Sequence, residues 1–216
     1  MSQRSEAVPP VLRRVLVQLA AAGITQDFYL AGGTGLALLL SHRRSVDLDF
    51  FSRTNRLDAE ERRALLTKLR RLGRWTLREA KDGTVQGRIG RVRVSFFWYP
   101  ERLIRPLVRQ GPIRIASMED IGLMKIGAII GRGSRKDFVD LYAICQQIPL
   151  SKLLPMVKKK FTDTRDFALQ AFKALVFFED AEHDPPLIMT APIPWEYVKR
   201  FFTKEVRLLA REYLTR

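Results

Sequence analysis

The sequence predicts an α+β fold, in which a small mixed sheet flanked by helices is followed by a helical C-terminal region. Two observations lead to this prediction. Over residues 1–116, short apolar runs bounded by glycine alternate with helical segments, an order typical of helices packed on a mixed sheet. From Ser117 onward the pattern is helical, with a proline-rich loop before the last segment. We therefore expect an α/β core over 1–116 and a helical region over 117–216.

The N-terminal half begins with a predicted helix over 9–22, which two prolines open and a glycine ends. Gly32 and Gly33 predict a turn that leads into a short apolar helix over 34–41. An aspartate then opens a basic amphipathic helix over 58–71, because its side chain favours the N-cap position. The predicted strands of this half are 28–31, 46–51, 75–80, 84–89, 92–98 and 113–116.

The C-terminal region is predicted to contain helices only. Ser117 and Ser134 mark the starts of the first two, since serine is favoured at helix N-caps. Four prolines between residues 185 and 194 indicate a loop before the last helix. The predicted helices are 117–130, 134–146, 151–160, 163–180 and 195–214.

Composition excludes small cross-linked scaffolds. The chain has 216 residues, 46% of them apolar, which is enough to bury a sizeable core. Its single cysteine, Cys145, excludes a disulfide framework and a cysteine-rich zinc site. The N-terminal residues contain no apolar segment typical of a secretory signal, and the longest apolar run, 36–40, is too short to span a bilayer. We expect a cytoplasmic protein that does not enter a membrane.

The chain is strongly basic. Lys and Arg total 38 against 23 Asp and Glu, which gives a formal net charge of +15. This balance indicates a polyanionic partner, and it favours nucleic acid over a membrane because the basic residues are spread along the chain. The alternative is a solvated basic surface. Three basic sets stand out: Arg62, Arg63, Lys68, Arg70, Arg71 and Arg74; Arg102, Arg105, Arg109 and Arg114; and Lys158, Lys159 and Lys160.

Gly32 and Gly33 join a predicted strand to a helix N-terminus. Glycines at such a junction let the backbone approach an anion, and the free N–H groups of a helix start can bind phosphate. A plain turn between a strand and a helix also uses glycine. Both interpretations stay open from these two residues alone.

Asp47 and Asp49 lie two residues apart on a predicted strand. Residues two apart share a strand face, so we expect Val46, Leu48 and Phe50 to face the core and the two carboxylates to face the other side. Carboxylates that share a face repel each other and need a counterion, either arginine or a divalent cation. The alternative is a solvated pair on an edge strand.

The first helix of the C-terminal region carries a lysine within its apolar stripe. Lys125 lies one turn after Ile121 and must either extend to water or meet an anion. Asp137 and Asp140 share one side of the next helix. Asp137 also follows Ser134 by three residues, the spacing of a capping box, so a structural role competes with a functional one.

Two blocks of the sequence together form a specific pattern. Residues 28–51 contain Gly-Gly-Thr-Gly-Leu-Ala-Leu, then His-Arg-Arg-Ser, then Asp-Leu-Asp-Phe-Phe, and residues 117–142 contain the lysine helix and Lys-Asp-x-x-Asp-Leu. This pattern resembles the AbiEii/AbiGii toxin family of nucleotidyltransferases, in the DNA polymerase β-like superfamily. Its members are toxins of type IV toxin–antitoxin and abortive-infection systems. The resemblance implies a nucleotidyltransferase fold whose helical C-terminal region completes the active site.

The same resemblance implies an enzyme that transfers a nucleoside monophosphate from an NTP to an acceptor hydroxyl. It implies that Asp47 and Asp49 hold Mg²⁺ and act in catalysis with Lys125 and Asp137. The implied acceptor is RNA, with tRNA as the first candidate, and the implied antitoxin is separately encoded and need not bind this chain. The residues expected to bind the NTP are Gly32, Gly33, Thr34, Arg44, Ser45 and Lys125.

Ser95 departs from the superfamily pattern. The predicted strand 92–98 places Ser95 near the position of the superfamily's third carboxylate, with Arg93 on the same face. Serine is a poor Mg²⁺ ligand and cannot act as a base at neutral pH. Two alternative functions therefore stay open: a non-catalytic module that binds nucleotide or RNA, and a transferase that acts on a small molecule or a protein.

His42, Arg43 and Arg44 follow the short helix. The histidine can orient substrate, but we favour a helix cap or a local hydrogen bond. An arginine here can bind the triphosphate or act as the permanent partner of the aspartate pair. His42, Ser95 and Asp140 complete the set of candidate site residues.

Overall fold

The structure is a computed structural model that describes residues 7–161 and 166–214. Within these two ranges, no helix combines the length and the apolar character needed to cross a membrane. The helices are α1 Pro10–Ala21, α2 Gly32–Leu40, α3 Ala59–Arg71, α4 Met118–Arg132, α5 Arg135–Cys145, α6 Leu150–Lys160, α7 Phe167–Leu175, α8 Glu179–Glu182 and α9 Trp195–Leu214. The strands are β1 Tyr29–Leu30, β2 Asp47–Ser52, β3 Trp75–Lys81, β4 Thr84–Ile89, β5 Val92–Trp98, β6 Val108–Gln110 and β7 Ile113–Ile115.

The strands form one seven-stranded sheet in the order β3-β4-β5-β2-β1-β7-β6. The pairs β2–β5 and β1–β7 are parallel, and the other four pairs are antiparallel. The predicted mixed sheet is therefore confirmed. Strand β2 occupies the middle of the sheet, so the Asp47–Asp49 pair does not lie on an edge strand.

Alternation along β2 separates a core face from a polar face. Leu48 and Phe50 are completely buried, and the Phe50 ring stacks on Phe96 of β5 with centroids 5.3 Å apart. Asp47 and Asp49 project from the opposite face, as the two-residue spacing predicts. The expectation for Val46 is wrong: it precedes the strand and is 48% exposed.

Helix α2 begins earlier than predicted. Its first residue is Gly32, with Ala31 at the N-cap, so the two glycines form the first turn of the helix instead of a separate turn. Gly32 has φ of +61°, in the left-handed region that favours glycine. The chain thus passes from β1 into α2 with no intervening loop, which brings the helix start next to β2.

One further expectation fails for a tertiary reason, and one strand was missed. The helix predicted over 163–180 is two helices, α7 and α8, and its predicted start lies partly outside the described residues. The chain leaves α7 at Val176, and Phe178 then packs against Phe138 of α5 and Trp195 of α9. Burial of these rings outweighs the helical pattern of the segment. Strand β6 was not predicted, because three residues give too little alternation to be recognised.

Candidate active site

The parallel pairing of β2 with β5 brings four polar residues together. In this register Asp47 lies opposite Arg93 and Asp49 lies opposite Ser95. The four side chains share the face that is turned away from the core, because residues two apart on each strand point the same way. The predicted placement of Ser95 beside the aspartate pair is confirmed.

These residues open into a cavity of about 860 Å³. Strand β2 and strand β5 form one wall of it, and helices α4 and α5 contribute another. The cavity thus contains acidic, basic and aromatic groups at once. Its lining includes Gly32, Gly33, Arg44, Ser45, Asp47, Asp49, Phe51, Arg93, Phe97, Tyr99, Lys125, Arg132, Lys136 and Asp137.

Arg93 is the partner of Asp47. Its Nε donates a hydrogen bond of 2.6 Å to one carboxylate oxygen of Asp47, and its Nη2 donates one of 2.8 Å to the other. The pair is partly solvated, with side-chain exposures of 52% for Arg93 and 32% for Asp47. An ion pair this exposed contributes little stability. The arginine expected as a possible counterion of the aspartates is therefore Arg93 and not one of the pair that follows α2.

Asp49 makes no direct ion pair. Among the described residues, no hydrogen bond or ion pair engages its carboxylate. Burial and the adjacent charge of Asp47 raise the pKa of Asp49, and the cations Lys125, Lys136 and Arg132, which do not pair with it directly, offset only part of this rise. Within the described ranges, no group of three or more His, Cys, Asp or Glu side chains is arranged to hold a metal. A pair of carboxylates still fits Mg²⁺, which commonly binds one or two protein carboxylates and completes its shell with water and phosphate oxygens.

The start of α2 lies against Asp49. A Cβ atom on Gly32 would come within 2.9 Å of the Asp49 Oδ2 atom, so both the space and the positive φ require glycine there. The N-cap residue, Ala31, provides no side-chain hydrogen bond to the first turn. The N–H groups of that turn have no acceptor within the helix, and they lie at the edge of the cavity. This end of α2 has the properties of an anion site.

Packing explains why a glycine and a threonine occupy positions 33 and 34. A Cβ atom on Gly33 would collide with the guanidinium of Arg43. The Thr34 side chain is buried, and its hydroxyl bonds to the Ser45 hydroxyl at 2.8 Å and donates to the backbone carbonyl of Asp47. These contacts hold α2 and β2 together. Thr34 therefore has only its backbone N–H available for a ligand.

Lys125 forms ion pairs with two aspartates. Its Nζ lies 2.9 Å from Asp137 and 2.5 Å from Asp140, and both carboxylates are fully buried. Burial alone would lower the pKa of Lys125, but the charges of Asp140 and Asp137 outweigh it and raise the pKa. The lysine is thus fixed in its charged form at the wall of the cavity.

Asp137 does not form the capping box that its spacing suggests. Ser134 is the N-cap residue of α5 but makes no side-chain capping bond; its hydroxyl donates to Asp137 at 3.0 Å. Arg132 also donates to this carboxylate, at 2.8 and 3.1 Å. Burial opposes ionisation of Asp137, but Lys125 and Arg132 lower its pKa to about 2.

Asp140 is the centre of a buried network. Arg43 donates to both of its oxygens, from Nε at 2.6 Å and from Nη2 at 2.8 Å. His42 lies 2.7 Å from the same carboxylate through Nε2. Although burial works in the opposite direction, Lys125 and Arg43 hold the pKa of Asp140 well below its usual range.

One expectation for the segment after α2 is therefore wrong, and one of the two open roles of its arginines is excluded for Arg43. His42 neither caps the helix nor bonds locally; the C-cap residue is Ser41, and His42 reaches a residue on α5. Arg43 pairs with Asp140 and not with the Asp47–Asp49 pair. Arg43 was not predicted as a site residue, and no spacing signal in the sequence marks a contact between residues 97 positions apart.

Several predicted nucleic-acid contacts have structural partners instead. Lys160 is completely buried and pairs with Asp120 at 2.8 Å, so it cannot belong to a surface set. Arg62 pairs with Asp82, and Arg114 donates to backbone carbonyls near β1. The basic surface of α3 keeps other exposed cations: Arg63, Lys68, Arg70 and Arg71.

Comparison with known proteins identifies a matching family and a relative that aligns over nearly the whole chain. A family model described as "Nucleotidyl transferase AbiEii toxin, Type IV TA system" matches residues 14–208. An uncharacterized protein of Aquifex aeolicus (strain VF5) is 37% identical over 207 residues, which cover 94% of this chain and 95% of that protein.

Solved structures agree in fold at low sequence identity. MenT4, a nucleotidyltransferase toxin from Mycobacterium tuberculosis H37Rv, aligns with a TM-score of 0.61 and 17% identity over 96% of this chain and 86% of that one. ANT(2")-Ia, solved with adenylyl-2"-tobramycin, aligns with a TM-score of 0.52 and 16% identity over 68% of this chain and 94% of that one. Both confirm the predicted nucleotidyltransferase fold.

Proposed function

The chain belongs to the AbiEii family of nucleotidyltransferase toxins of type IV toxin–antitoxin systems, and we propose that it transfers a nucleoside monophosphate from an NTP to a hydroxyl group of RNA. In this reaction the acceptor oxygen forms a bond to the α-phosphorus, the bond to the bridging oxygen of the β-phosphate breaks, and pyrophosphate leaves. The hydroxyl proton passes to solvent. tRNA is the first candidate acceptor.

One observation carries the proposal: Asp49 is an unpaired carboxylate that lies between a second carboxylate and an uncapped helix start. A buried carboxylate with no direct ion pair is costly to ionise unless a ligand offsets its charge, and Gly32 packs so closely against it that a Cβ atom there would come within 2.9 Å of Asp49 Oδ2. Mg²⁺ bound by Asp47 and Asp49 would supply positive charge to a triphosphate and to its transition state. The carboxylates position that charge between β2 and α2.

The chain's own groups would then bind the rest of the nucleotide. Backbone N–H groups of the first turn of α2, at Gly32, Gly33 and Thr34, would donate to phosphate oxygens. Arg44, which is exposed at the cavity, would add charge, and Ser45, whose hydroxyl bonds to that of Thr34, would hold the start of α2 beside the nucleotide. Lys125 would act at the phosphates, with Asp137 and Asp140 as its positioning residues.

The direct test follows label from nucleotide to acceptor. The protein is incubated with each α-labelled NTP in turn, Mg²⁺ and total RNA, and the RNA is separated on a gel. We expect label on a discrete RNA species with the wild type and a loss of at least about 100-fold in Asp47→Asn/Asp49→Asn. Arg91→Gln, at an exposed turn outside the cavity lining, is the matched control and keeps wild-type activity. Label on a protein or a small molecule, with none on RNA, would contradict the acceptor assignment.

Net charge is the main support for an RNA acceptor, and α3 offers a test of it. Changing Arg63, Arg70 and Arg71 to Gln removes exposed charge, so the slope of log affinity for RNA against log salt is expected to fall by about 2. NTP binding stays unchanged. Arg200, Lys204 and Arg207 on α9 provide a control that loses the same charge elsewhere. An equal loss of slope in both variants would mean that RNA binding depends on positive charge spread over the surface and not on α3 in particular.

A second candidate function has its own observation in favour. Arg93 occupies both oxygens of Asp47, and a serine stands where a third carboxylate is usual in the superfamily. A non-catalytic module that binds nucleotide is consistent with both facts. The labelling experiment separates the two functions, because such a module binds Mg²⁺ and NTP but transfers no label. In either case the antitoxin is proposed to be separately encoded, and the protein to act in the cytoplasm.

A further inference from the structure

Arg93 lies beside the aspartate pair, on the same face of the sheet, and bonds to Asp47. We propose that the Asp47–Asp49 site holds one divalent cation, and that the guanidinium of Arg93 supplies the positive charge that a second ion would otherwise bring. This inference rests on the proposed function, because it concerns the same site. It goes beyond that function by fixing the number of ions and by assigning to Arg93 the supply of positive charge at the site.

The register of the sheet limits the number of acidic ligands. On the exposed face of β5, Arg93 and Ser95 lie opposite Asp47 and Asp49. On the next strand, β4, the residues opposite Arg93 and Ser95 are Arg88 and Gln86. Across these three strands, this face therefore carries only two carboxylates. In the absence of nucleotide, two divalent ions need more negative charge than two carboxylates provide, since the site would then carry a net positive charge and the two ions would repel each other.

The charge of Arg93 is permanent, because a guanidinium does not lose its proton in proteins. It cancels one of the two negative charges of the carboxylates. A single divalent ion then offsets the remaining charge with one positive charge in excess, and the phosphates of a nucleotide can balance that excess. A second ion would meet a site that is already positive.

Arg93 and one cation can occupy the aspartates together. The two hydrogen bonds from Arg93, at 2.6 and 2.8 Å, use one lone-pair direction on each oxygen of Asp47. A carboxylate offers about four such directions, so Asp47 can still contribute an oxygen to a cation. Asp49, which no described side chain engages, is the principal ligand. Arg93 uses two of its five N–H donors on Asp47 and keeps three for phosphate oxygens.

The exposure of the ion pair agrees with this arrangement. Asp47 and Arg93 are both reachable by solvent, so a cation can enter without opening the core. The buried pair of Arg43 with Asp140 provides a contrast, since that carboxylate is fully enclosed and has no room for an ion. An arginine that pairs with a carboxylate inside an open cavity can change how strongly that carboxylate binds a ligand. An arginine that pairs with a carboxylate in the core stabilises the fold.

Manganese provides the test, because free Mn²⁺ is counted directly by electron paramagnetic resonance. The full chain is titrated with Mn²⁺ alone, without nucleotide. The wild type is expected to bind one ion per chain. Arg93→Gln is expected to bind that ion about tenfold more tightly, since a positive charge next to the site is lost. Arg93→Lys keeps the charge without the paired hydrogen bonds and is expected to bind as the wild type does.

Arg88→Gln is the matched control. It removes another exposed arginine from the same face, one strand farther from the aspartates, and is expected to leave Mn²⁺ affinity within about twofold of the wild type. Two ions per wild-type chain, or equal affinities in the wild type and Arg93→Gln, would overturn the inference while leaving the proposed function intact. No Mn²⁺ bound by any of these proteins would overturn the cation site of the proposed function itself.

Discussion

Two pairs of aspartates frame the site, and their surroundings act on them in opposite directions. Asp47 and Asp49 lie on an open face of β2, where the pKa of Asp49 is raised. Asp137 and Asp140 lie on α5, where neighbouring cations lower the pKa of both. The residue types and the short spacing are alike in both pairs. What differs is how many of the protein's own cations pair directly with the carboxylates.

The difference separates a ligand site from its support. The α5 pair receives Lys125, Arg132 and Arg43, so every charge there is met within the chain. Within the described residues, the β2 pair has one direct ion pair, between Arg93 and Asp47, while Lys125, Lys136 and Arg132 act on Asp49 without contacting it. The Asp49 carboxylate is therefore left to a ligand. A carboxylate without a direct ion pair inside a cavity indicates where a ligand is expected to bind. Carboxylates that are fully ion-paired in the core hold the elements around that site in position.

Breaking the α5 pair should have the largest effect. Asp140→Ala leaves Arg43 and Lys125 buried with one carboxylate fewer, so we expect the free energy of unfolding to fall by about 3 to 5 kcal/mol. Urea denaturation followed by circular dichroism measures this. Asp82→Ala, which removes the exposed partner of Arg62, is the control and should change little. Equal stability of the two variants would show that the network does not hold the helices together.

Lowering the pH should change the contributions of Asp137 and Asp49 to stability in opposite directions. The folded-state pKa of Asp137, about 2, lies below its unfolded value, so its stabilisation is complete above that unfolded value and is lost as the pH falls toward 2. We expect Asp137→Asn to be less stable than the wild type by about 2 kcal/mol near neutral pH. That difference should shrink between about pH 4 and pH 2.

Asp49 should behave in the reverse way. Its folded-state pKa is raised, so the protonated form is favoured in the folded protein, and the stabilisation from protonation is lost as the pH rises through that pKa. Asp49→Asn should therefore be more stable than the wild type at neutral pH, and equal to it in acid. Thermal unfolding at a series of pH values measures both variants. A loss of stability in Asp49→Asn at neutral pH would contradict the view that Asp49 lacks a partner.

Sequence patterns predicted the strands of the site better than its contacts. The predicted strand 92–98 matches β5, and the spacing of Asp47 and Asp49 correctly placed both on one face. Period-two alternation is a local property, so it can be recognised without knowledge of the fold. The pairing of Asp49 with Ser95 followed from the superfamily pattern and not from the residues alone.

The buried network around Asp140 could not be predicted from the sequence, for a physical reason. Arg43 meets Asp140 only because α2 and α5 pack together, and no local pattern encodes a pair so distant along the chain. His42 was assigned a local bond because local bonds are the ones that spacing can reveal. Charged residues near an apolar helix look alike in sequence whether they end in solvent, as Arg44 does, or in the core, as Arg43 does.

Replacing Ser95 tests the β2 pair with the smallest expected effect. Ser95→Asp adds a carboxylate opposite Asp49, but Arg93 lies two residues away on the same face and still has free donors for it. The new charge should be largely neutralised by that arginine. We expect the Mg²⁺ concentration that gives half-maximal transfer to RNA to fall by only about threefold. Ser95→Ala, which adds no oxygen ligand, should match the wild type.

The direction of this small change decides how Ser95 contributes. A lower Mg²⁺ requirement in Ser95→Asp means that the position faces the cation and that the natural site works with two carboxylates. Loss of transfer in both Ser95→Asp and Ser95→Ala would instead mean that the hydroxyl contacts the substrate, because the two changes share only the loss of that group. Transfer by none of the three proteins, with NTP still bound, would favour the non-catalytic module, since an added ligand cannot restore a reaction that the rest of the site does not support.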